Sequence, residues 1–293
     1  MSKATKVKAA VIEQVADLSM RLAQRHLAEY GATRSRHDFT QRQLMSCLIL
    51  RAYLNTTYRG VLEVLAVSQS LRQCLGLQEK LPHYTTLQKF SSRSQVVAIA
   101  QKIVATIGQS VLAQKPDGQD AAMDGTGLAH TAASDYFRHR SGRRIRGWVK
   151  VSVMVLCGSL LPLALVVDAK PTNDCMHGQA LIRQAQQQAI PPDRLYADAG
   201  YDAEAIHRRC REEWGVVSVI QPVQRRADGQ RGGHWRAKMS PEYLRQNQYQ
   251  RRWAVESFFS GLKRTMGSTL RARHPQQKLA EAALRVLAYA LRR

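Results

Sequence analysis

Acidic residues are scarce in this sequence. Its 293 residues hold 22 Asp+Glu against 44 Lys+Arg, a formal charge of +22 and a pI near 10.4. So one-sided a balance points to a polyanionic partner, nucleic acid ahead of an anionic membrane surface. Cysteines are few and scattered: Cys47, Cys74, Cys157, Cys175 and Cys210 are odd in number and contain no C-x-x-C pair. That excludes a disulfide framework and a cysteine zinc site, and leaves free thiols in a reducing compartment. Long apolar runs are also missing, apart from Val151 to Val167. Its 17 residues stand at the lower limit for a membrane span, but Gly158-Ser159 and Pro162 interrupt them. Two buried strands joined by a tight turn account for that pattern. Lys3, Lys6 and Lys8 precede no apolar stretch, so no signal peptide is expected. The expectation is a cytoplasmic protein without a membrane partner.

The first third reads as helical. Val11, Ile12, Val15, Leu18, Leu22 and Leu27 recur at helical intervals within residues 1–38, giving a basic amphipathic arm. Packing, dimerisation and contact with a nucleic-acid backbone all suit it. Thr40 is placed to cap a helix from Gln41 to Tyr53. Further segments run from Tyr58 to Ala66, from Ser70 to Leu75 and from Thr85 or Thr86 to Phe90, separated by Gly60, Gly76 and the Leu81-Pro82-His83-Tyr84 turn. Short helices with tight turns over residues 39–116 fit a helix-turn-helix-like DNA reader or any small helical bundle.

After Lys115-Pro-Asp-Gly118 the character changes. A short strand, Ala121 to Gly125, ends in Asp124-Gly-Thr-Gly127, and residues 138–150 carry six cations and no acid. The two apolar strands follow, then a helix from His177 to Gln188. Leu195-Tyr-Ala-Asp-Ala-Gly-Tyr201 is a strand running into a glycine turn, with a helix over Asp202 to Glu213 and a strand over Val216 to Ile220 behind it. Asp202 is read as the cap of its helix, Asp168 as the end of the hairpin, Asp135 as an ion-pair partner and His177 as structural. Residues 225–273 hold twelve Lys+Arg against three Asp+Glu. Trp235 and Trp253 lie there as candidates to stack on bases, with Trp253, beside Ala254 and Val255, reading as a core residue.

Tyr249 to Lys263 has no Pro, one Gly and apolar residues at helical spacing, and reads as one helix. At about 100° per residue, Tyr249, Arg252, Glu256 and Lys263 share one face. Glu256 has Phe259 and Ser260 three and four residues on, so an ordinary ion pair with a following cation is excluded. A carboxylate among cations suits a site that holds a divalent metal and grips phosphate. These four residues reproduce the Y-(2)-R-(3)-E-(6)-K signature, and the chain resembles the DDE-class bacterial insertion-sequence transposases. Tyr-Ala-Asp198-Ala-Gly-Tyr-Asp is similar to the family's block around its second acid.

The resemblance covers residues 120–270 and implies an α/β, ribonuclease-H-like mixed sheet over residues 117–293, preceded by the all-α DNA-binding region. It implies Asp124, Asp198 and Glu256 as the catalytic, metal-holding acids, with Tyr249, Arg252 and Lys263 on DNA. Two-metal phosphoryl transfer needs carboxylates converging on two Mg²⁺ or Mn²⁺ ions about 4 Å apart. The implied substrates are double-stranded transposon ends and target DNA, handled by a homodimer in a synaptic complex. Only 58 residues separate Asp198 from Glu256, little room for the β-rich insertion of some members. A non-catalytic DNA-binding derivative and a ribonuclease-H-like nuclease without strand transfer are the alternatives.

Overall fold

The computed structural model describes residues 10–34, 36–114, 119–129, 147–170, 172–188, 190–224 and 232–293. The linker at 115–118, Asp135 and most of the 138–150 basic run lie outside them. The chain divides into two compact units, Met1–Ile99 and Ala100–Arg293.

In the first unit, α1 (Val11–His26) packs on α2 (Gln41–Tyr53), followed by α3 (Tyr58–Val67), α4 (Gln69–Cys74) and α5 (Tyr84–Ser91). Helix starts are set by short hydroxyl side chains. Thr40 accepts from the Gln43 amide at 3.3 Å while Gln43 Oε1 takes the Thr40 amide at 2.8 Å, closing a capping box. Thr57 and Ser68 cap α3 and α4 in the same way. Such caps contribute about 1 kcal/mol each. The arm is shorter than its periodicity suggests: helix ends at His26, and residues 27–34 and 36–38 are irregular. α5 starts one residue before Thr85 on His83, which makes no side-chain cap.

α6 (Gln95–Leu112) spans the division between the units, and the sequence reading passed over it. It is long and apolar enough to cross a membrane by length and composition, with a mean hydropathy of 1.3. The surroundings of its second half show a core helix. Gln101 Nε2 donates to the Leu165 carbonyl at 2.9 Å. A Cβ at Gly108 would meet the Pro162 carbonyl oxygen at 2.5 Å, so only glycine fits that close a crossing.

The second unit is built on a sheet of order β3-β2-β1-β4-β5, with β1 (Ala121–Ala129), β2 (Trp148–Leu156), β3 (Pro162–Asp168), β4 (Arg194–Ala197) and β5 (Val217–Ile220). β1, β2 and β3 are antiparallel neighbours; β4 lies parallel to β1, and β5 parallel to β4. This is the ribonuclease-H-like mixed sheet. The apolar run over 151–167 is the β2–β3 hairpin. On one face, α7 (Asp174–Gln186) and α8 (Glu204–Arg208, continued by a π turn to Glu213) bury Met123, Leu181, Ile182, Tyr201 and Ile206. On the other lie α10 (Trp253–Met266) and α11 (Pro275–Ala290), with α9 (Pro241–Gln246) before them. Along α10, Val255, Phe258, Phe259, Leu262 and Met266 are buried at helical spacing. Gly261 leaves room for Tyr289, whose hydroxyl would stand 2.0 Å from a Cβ there.

Asp202 does not cap α8; that position is Ala203, which makes no side-chain cap. Asp202 is fully buried and takes a bidentate grip from Arg236, with Nε to Oδ1 at 2.7 Å and Nη2 to Oδ2 at 2.6 Å. Glu204 fills the capping role from within the helix but for another segment: its oxygens accept the Trp235 and Arg236 amides at 3.0 Å each. The stretch after β5 is thereby tied to the turn that follows β4. An Asp before a helix suggests a cap, and only the fold brings Arg236 to it.

His207 packs beside this clamp with Nδ1 2.8 Å from Ser218 Oγ, while Nε2 has no partner among the described residues. Burial pushes its imidazole down to about 4, with Arg211 and Arg236 acting in the same direction and Asp202 and Glu204 against it. An unfolded histidine titrates near 6.5, so below that pH the unfolded chain binds a proton that the folded chain refuses. Above pH 6.5 this group leaves stability unchanged. As the pH falls from 6.5 to 4, it should remove about 3 kcal/mol. Urea denaturation across that range should show the loss, and His207→Gln should flatten the slope.

Candidate active site

Register places the first two acids. β1 and β4 are parallel, with Ala122 beside Tyr196 and Met123 beside Ala197, so Asp124 and Asp198 come next to each other as β4 ends. Met123 and Ala197 point into the α7 core, and the alternation of a strand turns Asp124 and Asp198 to the opposite side. Each is oriented by its own turn. The Gly125 amide donates to Asp124 Oδ1 at 2.7 Å, and the Gly200 amide to Asp198 Oδ1 at 2.9 Å. Burial pushes the Asp124 carboxyl up to about 6. Asp198 and Asp174 raise it further, against the Gly125 amide and the Arg252 guanidinium.

The third acid comes from α10, and the segment before it is a 3₁₀ turn, Tyr249–Arg252, rather than the start of one continuous helix. Three of its residues reach the sheet. The Tyr249 hydroxyl donates to the Ala197 carbonyl at 3.2 Å, Arg251 pairs with buried Asp120, and Arg252 Nη1 lies 3.8 Å from Asp124 Oδ2. Asp120 also accepts from the Tyr196 hydroxyl at 2.9 Å. The turn is pinned to β1 and β4, and the helix leaving it carries Glu256 to the edge of the pocket.

Glu256 does form an ion pair, contrary to the sequence reading. Its partner is Arg252, four residues earlier rather than later. Tyr249 spends its hydroxyl on a strand carbonyl beside Asp198. Lys263 lies seven residues beyond Glu256, half-buried, about 10 Å further along the helix axis. Trp253 is not a core residue: it is 62% exposed. Trp235 is covered on its faces by cations, with Arg211 4.7 Å and Lys238 4.2 Å from its ring, and its indole donates to Glu212. His177 is structural, as read, with Nδ1 2.8 Å from Ser152 Oγ and Nε2 3.6 Å from Asp168. Asp168, at the hairpin end, is also held by Thr172.

The residues that sequence reasoning missed here are Asp120 and Asp174. Nothing in the local sequence marks Asp120, because its partners Arg251 and Tyr196 are far along the chain. Asp174 lies in the first turn of α7, 2.6 Å from Lys150 Nζ.

Among the described residues, no three acidic, His or Cys side chains stand at metal-binding distance, Asp124, Asp174 and Asp198 included, and Glu256 is paired with Arg252. The donor set nevertheless fits a hard divalent cation. It is all oxygen, it sets two carboxylates side by side where β4 ends, and Asp124 is raised first by burial and then by its acidic neighbours, a cost that a bound cation would relieve.

A mixed sheet of this order, with acids at the ends of its central parallel pair, defines a ribonuclease-H-like domain. Residues 115–291 match the transposase DDE domain family and residues 4–93 a second transposase domain family, DUF772. The chain belongs to the DDE transposases. It is also similar to piggyBac transposase in a cryo-EM synaptic complex with hairpin DNA, at 8% identity and a TM-score of 0.46, over 97% of this chain and 72% of that one. No curated protein sequence matches it.

Proposed function

We propose that this transposase is a metal-dependent DNA strand transferase. It binds the terminal inverted repeats of an insertion sequence, nicks them to expose 3′-OH ends and joins those ends to target DNA. The observation that carries this reading is the placement of Asp124, within β1, beside Asp198, just past the end of β4, with Arg252 joining Glu256 to Asp124. Asp124, Asp198 and Glu256 would hold Mg²⁺, or Mn²⁺ in its place. When bound, such ions supply activation of the attacking oxygen and stabilisation of the leaving one.

The chain's own residues supply the rest. Arg252 offers a planar fork suited to bidentate contact with a phosphate, and Lys263 a point charge further along the same helix. Tyr249, through Ala197, fixes the strand end that carries Asp198. In nicking, water oxygen bonds to phosphorus and the bond to the 3′ oxygen breaks. In joining, the freed 3′ oxygen bonds to a target phosphorus, the bond from that phosphorus to the target's 3′ oxygen breaks, the proton passes to the leaving oxygen, and no covalent protein intermediate forms. The charge of +22 supports duplex DNA as partner, with the helical first unit as end reader and two copies acting in one synaptic complex.

The test is cleavage of labelled DNA carrying the element's own ends. Nicks at the ends that need Mg²⁺ or Mn²⁺ and vanish with chelator are the expected result. Binding without cleavage under either ion would reassign the protein as a DNA-binding derivative. Metal-dependent nicking at random sites without joining would make it a nuclease.

A further inference from the structure

Both strand acids are followed by a glycine, Gly125 directly and Gly200 two residues on, and both glycines face the same third carboxylate. A Cβ at Gly200 would stand 3.0 Å from Asp174 Oδ2 and 3.0 Å from Asp198 Oδ1. One at Gly125 would stand 3.6 Å from Asp174 Oδ1. Gly125 leaves space first for Ser152 and Lys150, whereas Gly200 is the residue whose missing side chain lets Asp174 approach Asp198.

Its placement is built rather than incidental. Asn173 caps α7 by accepting from the Cys175 amide at 2.9 Å, which fixes the first turn. Lys150 Nζ, almost buried, holds Asp174 Oδ1 at 2.6 Å and also donates to the Thr172 carbonyl at 2.6 Å. Lys150 engages one oxygen, and the other faces Gly200 and Asp198. A simple charge partner for Lys150 would not need a glycine at position 200 to approach Asp198.

A second observation concerns Tyr201. Its hydroxyl is fully buried and completes no hydrogen bond of normal geometry among the described residues, although Ser152 lies near it. Asp124, Asp174 and Asp198 are the charges it senses. A buried hydroxyl left without a partner is costly, and the cost is removed when a polar ligand arrives beside it.

We propose that Asp174, positioned by Lys150, is a fourth carboxylate of the divalent-cation pocket formed by Asp124, Asp198 and Glu256. The inference rests on the metal-dependent reading above. Asp174 adds negative charge on the side of the pocket opposite α10, and its removal weakens cation binding more than it disturbs the fold.

The test uses the full chain and reads metal binding directly, by loss of the free Mn²⁺ electron paramagnetic resonance signal. Asp174→Asn keeps the shape and an acceptor for Lys150. It should weaken Mn²⁺ binding about 10–100-fold, the range for a supporting group at a metal site. Nicking should recover as Mn²⁺ is raised. Asp168→Asn, an acid outside the pocket, should bind Mn²⁺ like wild type. Gly200→Ala retains every charge but puts a methyl group between Asp174 and Asp198, and should show the same loss; it decides the matter if Asp174→Asn does not fold. Wild-type Mn²⁺ affinity in Asp174→Asn and Gly200→Ala, beside loss in Asp124→Asn, would overturn this inference alone. Absence of Mn²⁺ binding by the wild type would overturn the reading beneath it as well.

Discussion

Asp124→Asn, Asp198→Asn and Glu256→Gln should each lower nicking by about three orders of magnitude or more while end binding in a gel shift stays within about threefold. One preorganised electrostatic group is worth about 10²–10³ in rate, and a carboxylate that holds the metal should count for at least that. The amides preserve shape, so the change is one of charge. Asp124 is the most telling, because its neighbours Met123 and Leu128 are buried and its backbone is fixed by nine residues of pairing with β2. Neutralising it cannot be mistaken for local unfolding. Double variants should be little worse than single ones, since members of one site fail together. A single variant that keeps a tenth of the wild-type rate would remove its residue from the site.

The second large effect is on stability. Asp202→Ala should cost about 3–5 kcal/mol, because it strands the buried Arg236 guanidinium without its partner. At roughly 2–4 °C per kcal/mol for a unit of this size, Tm should fall by about 6–20 °C. The informative companion is Asp202→Leu with Arg236→Met. Removing both charges should restore much of the loss, so the double variant should melt above Asp202→Ala. Equal melting temperatures would show that the clamp contributes through the Glu204 contacts to the Trp235 and Arg236 amides instead. Asp202 lies four residues after Asp198, so a partial loss of nicking at temperatures well below Tm would measure how far the clamp holds the second acid in place.

The parts of this protein that are legible in its sequence are those that short-range physics decides. Thr40 and Gln43 announce the start of α2 because a capping box is local. Val151 to Val167 announces a hairpin because Gly158-Ser159 cannot continue either strand. Asp124 and Asp198 stand out because an acid at an apolar strand end, followed by glycine, has little structural work to do. What escaped was settled by residues distant in sequence. Asp202 resembled a cap until Arg236 met it, and Trp253 resembled core until α10 was seen to turn it outward. Glu256 lacked a partner only when the helix was read forwards, since Arg252 lies one turn back. Asp174 was on the page but silent, as nothing near it in the chain says that Gly200 will open toward it.

β1 is paired on both flanks only from Ala121 to Met123, and is fastened again at Ala129 by its bridge to Thr269. Between those supports, from Asp124 to Leu128, no strand among the described residues pairs with that flank. The strand is in effect a beam supported at both ends and along one side, with its first acid at the inner edge of the unsupported span. The proposed metal site therefore lies where β1 gives up its parallel neighbour, and Asp124 is held there by the β2 flank alone.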